Sequence, residues 1–147
     1  MQINTSRFGA VTIEVDDILL FPNGLIGFDD CRHWVLLADA DNAAIGWLQS
    51  ITRGDVAMAV LSPRRFLPDY RLRLKRGQLL PLELSQFDQA YVLLLVNKTD
   101  WQLTVNLKAP LIINLDRRLG RQVISSDEQP LALELSPPQP IALRKSA

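Results

Sequence analysis

The residues of this chain that could do chemistry are few and scattered. Its one cysteine, Cys31, stands two positions from its one histidine, His33. On a strand the two would face the same side, as a thiol–imidazole pair or as half of a metal site. A cysteine packed as a small hydrophobe beside a surface histidine is the plainer reading, and a structural zinc wants more Cys and His ligands than the chain owns. Asp39-Ala-Asp41-Asn42 begins like a calcium loop, but Ala44 stands where that loop needs glycine and the distal glutamate is missing. A solvated turn is expected there. The pairs Asp16-Asp17 and Asp29-Asp30 are adjacent, so on a strand they diverge, whereas acid–base work needs convergent carboxyls. No phosphate-cradling loop, dinucleotide fingerprint or nucleophile elbow is present. The expectation is a protein that binds rather than catalyses, without a cofactor or metal.

Two patterns could instead recognise nucleic acid. Gly24-Leu-Ile-Gly27 matches the bare Gly-x-x-Gly of an RNA-clamping loop, which belongs between helices. Here it follows the strand-like Ile18 to Phe21, so a turn with glycines at positive φ is the better reading. The basic cluster Arg64, Arg65, Arg71, Arg73, Lys75 and Arg76 is opposed only by Asp69. Residues 1–62 are acidic, with Arg7, Arg32 and Arg53 against eight carboxylates, and the whole chain is formally neutral. Such segregation steers charged partners and says nothing about fold. The basic stripe suits an aggregation-resistant edge strand, an acidic protein partner, or a nucleic-acid backbone with Phe66 and Tyr70 as stacking faces. The last is the alternative function, although Tyr70 falls on the apolar side of its alternation.

The elements that must position these residues have the period of strands. Val11, Ile13 and Val15 alternate with polar neighbours, as do Tyr70, Leu72 and Leu74, then Leu103, Val105 and Leu107, then Leu131, Leu133 and Leu135. Tyr91 to Val96 and Leu111 to Ile113 are apolar throughout and read as strands covered on both faces. Turn signals separate the runs: Pro22-Asn-Gly24, Arg53-Gly-Asp55, Ser62-Pro63, Arg76-Gly77 and Asn97-Lys-Thr-Asp100. Only Ser85 to Ala90 looks helical, for about one turn, with Ser85 as a cap. The fold expected is mostly β, a small antiparallel β-barrel-like single domain over residues 1–135, with at most a short helical turn. A Pro-rich tail over 136–147, expected to be mobile, ends in Arg144-Lys145. A 147-residue domain buries roughly 68–70% of its unfolded surface. One cysteine, no apolar leader and no apolar run long enough for a bilayer lead us to expect a cytoplasmic protein without membrane contact.

The most informative segment is Asn106-Leu-Lys-Ala-Pro-Leu-Ile-Ile-Asn114, followed by Arg118, Gly120 and Gln122-Val-Ile124. It reads as an exposed strand, a proline break and a buried strand. Three further blocks precede it in order: Ile18-Leu-Leu-Phe-Pro-Asn-Gly-Leu-Ile-Gly-Phe28, Leu48-Gln49-Ser50, and Pro63, Phe66 with Asp69-Tyr70. Together, from about Ile3 to Ile124, they resemble the flagellar assembly factor FliW family. Two features depart from the family pattern: Ile26 stands where proline is usual, and the chain is neutral where relatives tend to be acidic. The resemblance implies a small, mostly antiparallel barrel without enzymatic activity that binds newly made flagellin in the cytoplasm. It also implies binding to the RNA-binding translational repressor CsrA, so that flagellin and repressor exchange on one factor. Motif residues that are polar or lie in turns are the candidate contacts: Asn23, Gly24, Phe28, Gln49, Asp69, Asn106, Lys108 and Pro110.

Overall fold

In the computed structural model, which describes residues 1–86, 89–98 and 102–135, eleven strands are formed among the described residues. A hairpin of β1 (Gln2–Thr5) and β2 (Gly9–Thr12) stands apart. The others are β3 (Ile18–Leu20), β4 (His33–Ala38), β5 (Ile45–Ser50), β6 (Ala57–Leu61), β7 (Ala90–Lys98), β8 (Leu103–Val105), β9 (Leu111–Asn114), β10 (Leu119–Gln122) and β11 (Leu133–Glu134). β3 to β7 pair in sequence as antiparallel neighbours. β7 then pairs β9, β9 pairs β10, and β10 meets β3 at the one parallel register, Leu119 opposite Leu20. The seven strands thereby close into a barrel, which removes their edges.

β8 and β9 are two parts of one partner to β7. Val105 lies opposite Val96 and Leu111 opposite Leu93, so the five residues 106–110 stand against only two, Leu94 and Leu95. This is an enlarged bulge, and it turns the chain away from β7. Its carbonyls pair with the chain beyond β10 instead: Val123 N–H donates to Pro110 and Ser125 N–H to Lys108. Pro110, which has no N–H to donate, sits where none is required.

The barrel interior is filled by Phe21, Trp34, Leu48, Val60, Leu93, Leu111 and Ile113. Gly120 faces inward, and a Cβ there would lie 2.3 Å from the Phe21 ring, so the large ring and the missing side chain are complementary. A second core packs Leu61, Leu94, Val105 and Leu107 against Phe66 and Tyr70. The β1–β2 hairpin covers Val35 and Leu37 on the outer face with Ile3, Val11 and Ile13.

Three sequence expectations need correction. Tyr70 to Lys75 is extended and alternates between half-buried and exposed as expected, but it forms no strand. Its carbonyls are taken elsewhere, Arg73 by Ser126 N–H and Arg71 by the Gln129 side chain. Val15 is exposed, because the chain leaves β2 at Thr12 and enters a 3-10 turn, Val15–Asp17. Single-turn helices were not legible where they occur, at α1 (Pro63–Phe66) and α2 (Arg76–Leu79). α1 starts at a proline whose fixed φ suits the first helical position, and the Lys75 N–H at the start of α2 donates to Gln78 Oε1. The expected helical turn at Ser85 to Ala90, the Asn97–Asp100 turn and the 136–147 tail fall wholly or partly outside the described residues.

Candidate functional site

The chemistry-bearing residues do not converge. Cys31 is wholly buried while His33 is exposed. Asp39 closes the β4–β5 hairpin: its carboxylate accepts the N–H groups of Asp41 and Asn42 and the indole N–H of Trp47. Among the described residues no three of His, Cys, Asp and Glu gather to hold a metal. What the fold brings together is turns.

The first is Pro22 to Phe28. Gly24 N–H donates to the Phe21 carbonyl, and Leu25 and Phe28 exchange both backbone bonds. Gly24 has φ +65°, and a Cβ there would lie 2.4 Å from the Phe28 carbonyl oxygen, so only glycine fits. The turn exposes Asn23 at its tip and Ile26, which is 63% accessible. Phe28 is half-buried and packs on the barrel core.

Two side chains tie this turn to other motifs. Gln122 at the end of β10 accepts the Ile26 N–H through Oε1 (2.8 Å) and donates through Nε2 to the Ala109 carbonyl (3.1 Å). It therefore clamps the glycine turn to the 106–110 bulge. Arg53, in the loop between β5 and β6, lies 6.0 Å from the Phe28 ring centroid and pairs with Asp30 and Asp55. That loop is held from within by Gln49, whose Nε2 donates to the carbonyls of Ser50, Gly54 and Val56. Gln49 is fully buried, so it sets the loop and has no surface to offer a partner.

The bulge is held by its own side chains. Asn106 Oδ1 accepts the N–H groups of Lys108 and Ala109, an Asx turn. Lys108 Nζ donates to the carbonyls of Ser125 and Asp127, and Pro110 is buried. Asp69 is exposed and, with Tyr70, Leu107 and Asp127, lines a cavity of about 470 Å³. The Tyr70 hydroxyl donates to the Leu107 carbonyl, joining the third motif to the bulge. Burial raises the Tyr70 phenol well above its ordinary value, and the Asp127 carboxylate adds to the shift. Asp127 itself is held below the usual carboxylate range, chiefly by the Ser125 hydroxyl that donates to it.

Three of the four motif blocks are thus joined by named hydrogen bonds, and the second, through Gln49 and Ser50, holds the loop that carries Arg53 towards Phe28. A family model described as FliW protein matches residues 2–134. The chain belongs to the FliW family. The flagellar assembly factor FliW of Bdellovibrio bacteriovorus is 40% identical over 129 residues, covering 86% of this chain and 74% of that one. The FliW of Natranaerobius thermophilus is 36% identical over 127 residues, covering 84% of each. A crystal structure of the flagellar assembly factor FliW superposes with a TM-score of 0.86 at 27% identity, over 93% of this chain and 98% of that one. The barrel is therefore the FliW fold, and no helix among the described residues is long and apolar enough to cross a membrane.

Within this FliW chain the predicted site residues separate by what they touch. Asn23 and Asp69 are exposed, and Phe28 is half-exposed. Gly24, Gln49 and Pro110 are buried, while Asn106 Oδ1 and Lys108 Nζ, on half-buried side chains, bond to backbone. Sequence reasoning missed Gln122, Arg53 and Ile26 as parts of the site. Gln122 reaches partners 96 and 13 residues away, and no local pattern signals that.

Proposed function

We propose that this chain binds flagellin in the cytoplasm and antagonises the CsrA-type translational repressor, coupling flagellin synthesis to export. The observation that carries the reading is the clamp made by Gln122, which joins the glycine turn to the bulge. Asn23, Ile26, Phe28 and Asp69 are among the side chains of the motif blocks that remain accessible to a partner. Exchange of partners then follows from occupancy: flagellin bound to the factor lowers the free factor available to the repressor. Calorimetric titration against flagellin from the same cell tests the first half, with a one-to-one complex at micromolar concentrations or tighter expected. No complex in that range refutes it. For the second half, the factor should displace the repressor from its RNA, and added flagellin should reverse the displacement.

A further inference from the structure

The basic stripe belongs to none of these contacts. Beside α1 runs a cleft of about 730 Å³ walled by Leu36, Ile45, Val60 and Tyr91, with Arg64 and Arg65 among its lining residues. A second cleft of about 340 Å³ shares Ser62, Arg64 and Tyr91 with it and continues past Leu72 to Arg71. Through these shared residues the two form one groove beside α1.

We infer that this groove docks an acidic amphipathic peptide segment of a protein partner, its apolar side on Leu36, Ile45 and Tyr91 and its carboxylates on Arg64, Arg65 and Arg71. The charge argument comes first. Arg64 and Arg65 are exposed and make no ion pair among the described residues, where the pairs formed use Arg53, Arg117 and Arg118. Arg71 donates to the neighbouring carbonyls of Pro68 and Tyr70 and makes no ion pair among the described residues, which leaves it a third cation at the groove's far end. Three cations along an apolar floor are complementary to a segment with carboxylates flanking an apolar face.

The floor argues against nucleic acid. A single strand held by arginines needs exposed rings on which its bases stack. Phe66 and Tyr70, the aromatics nearest the stripe in sequence, pack into the second core, and the Tyr70 hydroxyl is bound to Leu107. Of the rings lining the two clefts, Tyr91 packs against the barrel core and Tyr70 against the second, so the floor left to Leu36, Ile45 and Val60 suits leucine-type anchors of an amphipathic segment. The inference is independent of flagellin binding, and either stands if the other fails.

The test is fluorescence anisotropy on the full chain with a labelled synthetic peptide carrying leucines at i, i+3, i+4 and i+7 and glutamates on the flanks. Its lysine-flanked counterpart and a labelled oligouridine serve as comparisons. We expect micromolar binding of the glutamate peptide that weakens with salt, and a loss of about tenfold or more in the double variant Arg64→Glu, Arg65→Glu. Ala43→Trp, at an exposed position lining the cleft, should weaken binding similarly without changing charge. All these positions are exposed, so thermal midpoints should stay unchanged. The inference is overturned if the glutamate peptide does not bind, if the lysine peptide or the oligouridine binds as well as it does, or if the variants bind like the native chain.

Discussion

Replacing Gln122 by alanine tests whether the glycine turn and the bulge are one unit. The substitution removes two hydrogen bonds, at 2.8 Å from the Ile26 N–H and at 3.1 Å to the Ala109 carbonyl. The two losses are unequal. Ile26 is 63% exposed, so water replaces the partner of its N–H, and that bond contributes about 0.5–1 kcal/mol. Ala109 is 4% exposed, and its carbonyl loses a partner in a dry place, at a cost of about 1–3 kcal/mol. The sum is about 1.5–4 kcal/mol, which for a domain of this size lowers the melting temperature by about 3–16 °C. Urea denaturation gives the free energy, and amide exchange at Ile26 gives the local effect. Gln122→Glu separates the two bonds: it keeps an acceptor for Ile26 but sets a carboxylate against the Ala109 carbonyl. Protection at Ile26 should then persist while stability still falls. If Gln122→Ala stays within about 0.5 kcal/mol of native and Ile26 exchange does not change, the clamp does not exist and the two motifs are independent.

Gly24→Ala should cost at least about 2 kcal/mol, since a positive φ alone costs 1–2 and the new Cβ meets backbone that cannot give way; a native-like urea midpoint would disprove it. Tyr70→Phe should lose about 1 kcal/mol at pH 7 with its bond to Leu107. The native phenol titrates above its unfolded value, so native stability is fully present below pH about 10 and declines as pH rises beyond it. The variant lacks that decline, so the two stability curves should converge in alkali; parallel curves from pH 7 to 11 would refute the assignment. Asn106→Ala should lower stability by about 1–2 kcal/mol because two N–H groups lose their acceptor, and Asn106→Asp should restore most of it. Equal losses in both would show that the Asx turn contributes nothing. Asn23→Ala, at an exposed tip, should weaken flagellin binding with an unchanged melting temperature; unaltered calorimetric affinity would remove Asn23 from the contact.

Periodicity in the sequence reported burial in the middle of most runs, failed at Val15 and Leu131, which are exposed, and reported pairing less well. Tyr70 to Lys75 alternates between half-buried and exposed as read, yet no strand lies beside it, because alternation records which side is dry and not where carbonyls find donors. The fully apolar run Leu111 to Ile113 is buried throughout, since a barrel strand beneath other elements has no wet face. α1 and α2 span four residues each, too short for a helical period to emerge against turn residues. In the site, residue type announced that Gln49, Asn106 and Lys108 would make hydrogen bonds, but type says nothing about whether the partner is a neighbouring carbonyl or another protein. Gln49 is buried, and Asn106 and Lys108, half-buried, bond to backbone of their own chain.

For Asn106 and Lys108 that bonding follows from the bulge. Five residues opposite two leave backbone groups that β7 does not satisfy, and unpaired backbone near the core costs as much as a lost hydrogen bond. Asn106 supplies an acceptor for two N–H groups, Pro110 lacks one, and Lys108 takes up two carbonyls of the returning chain. With these side chains committed, the bulge can be shape-specific without being chemically distinctive. On the proposed reading a partner recognises the position in which Gln122 holds the adjoining turn, a position that Asn106, Lys108 and Pro110 help to fix.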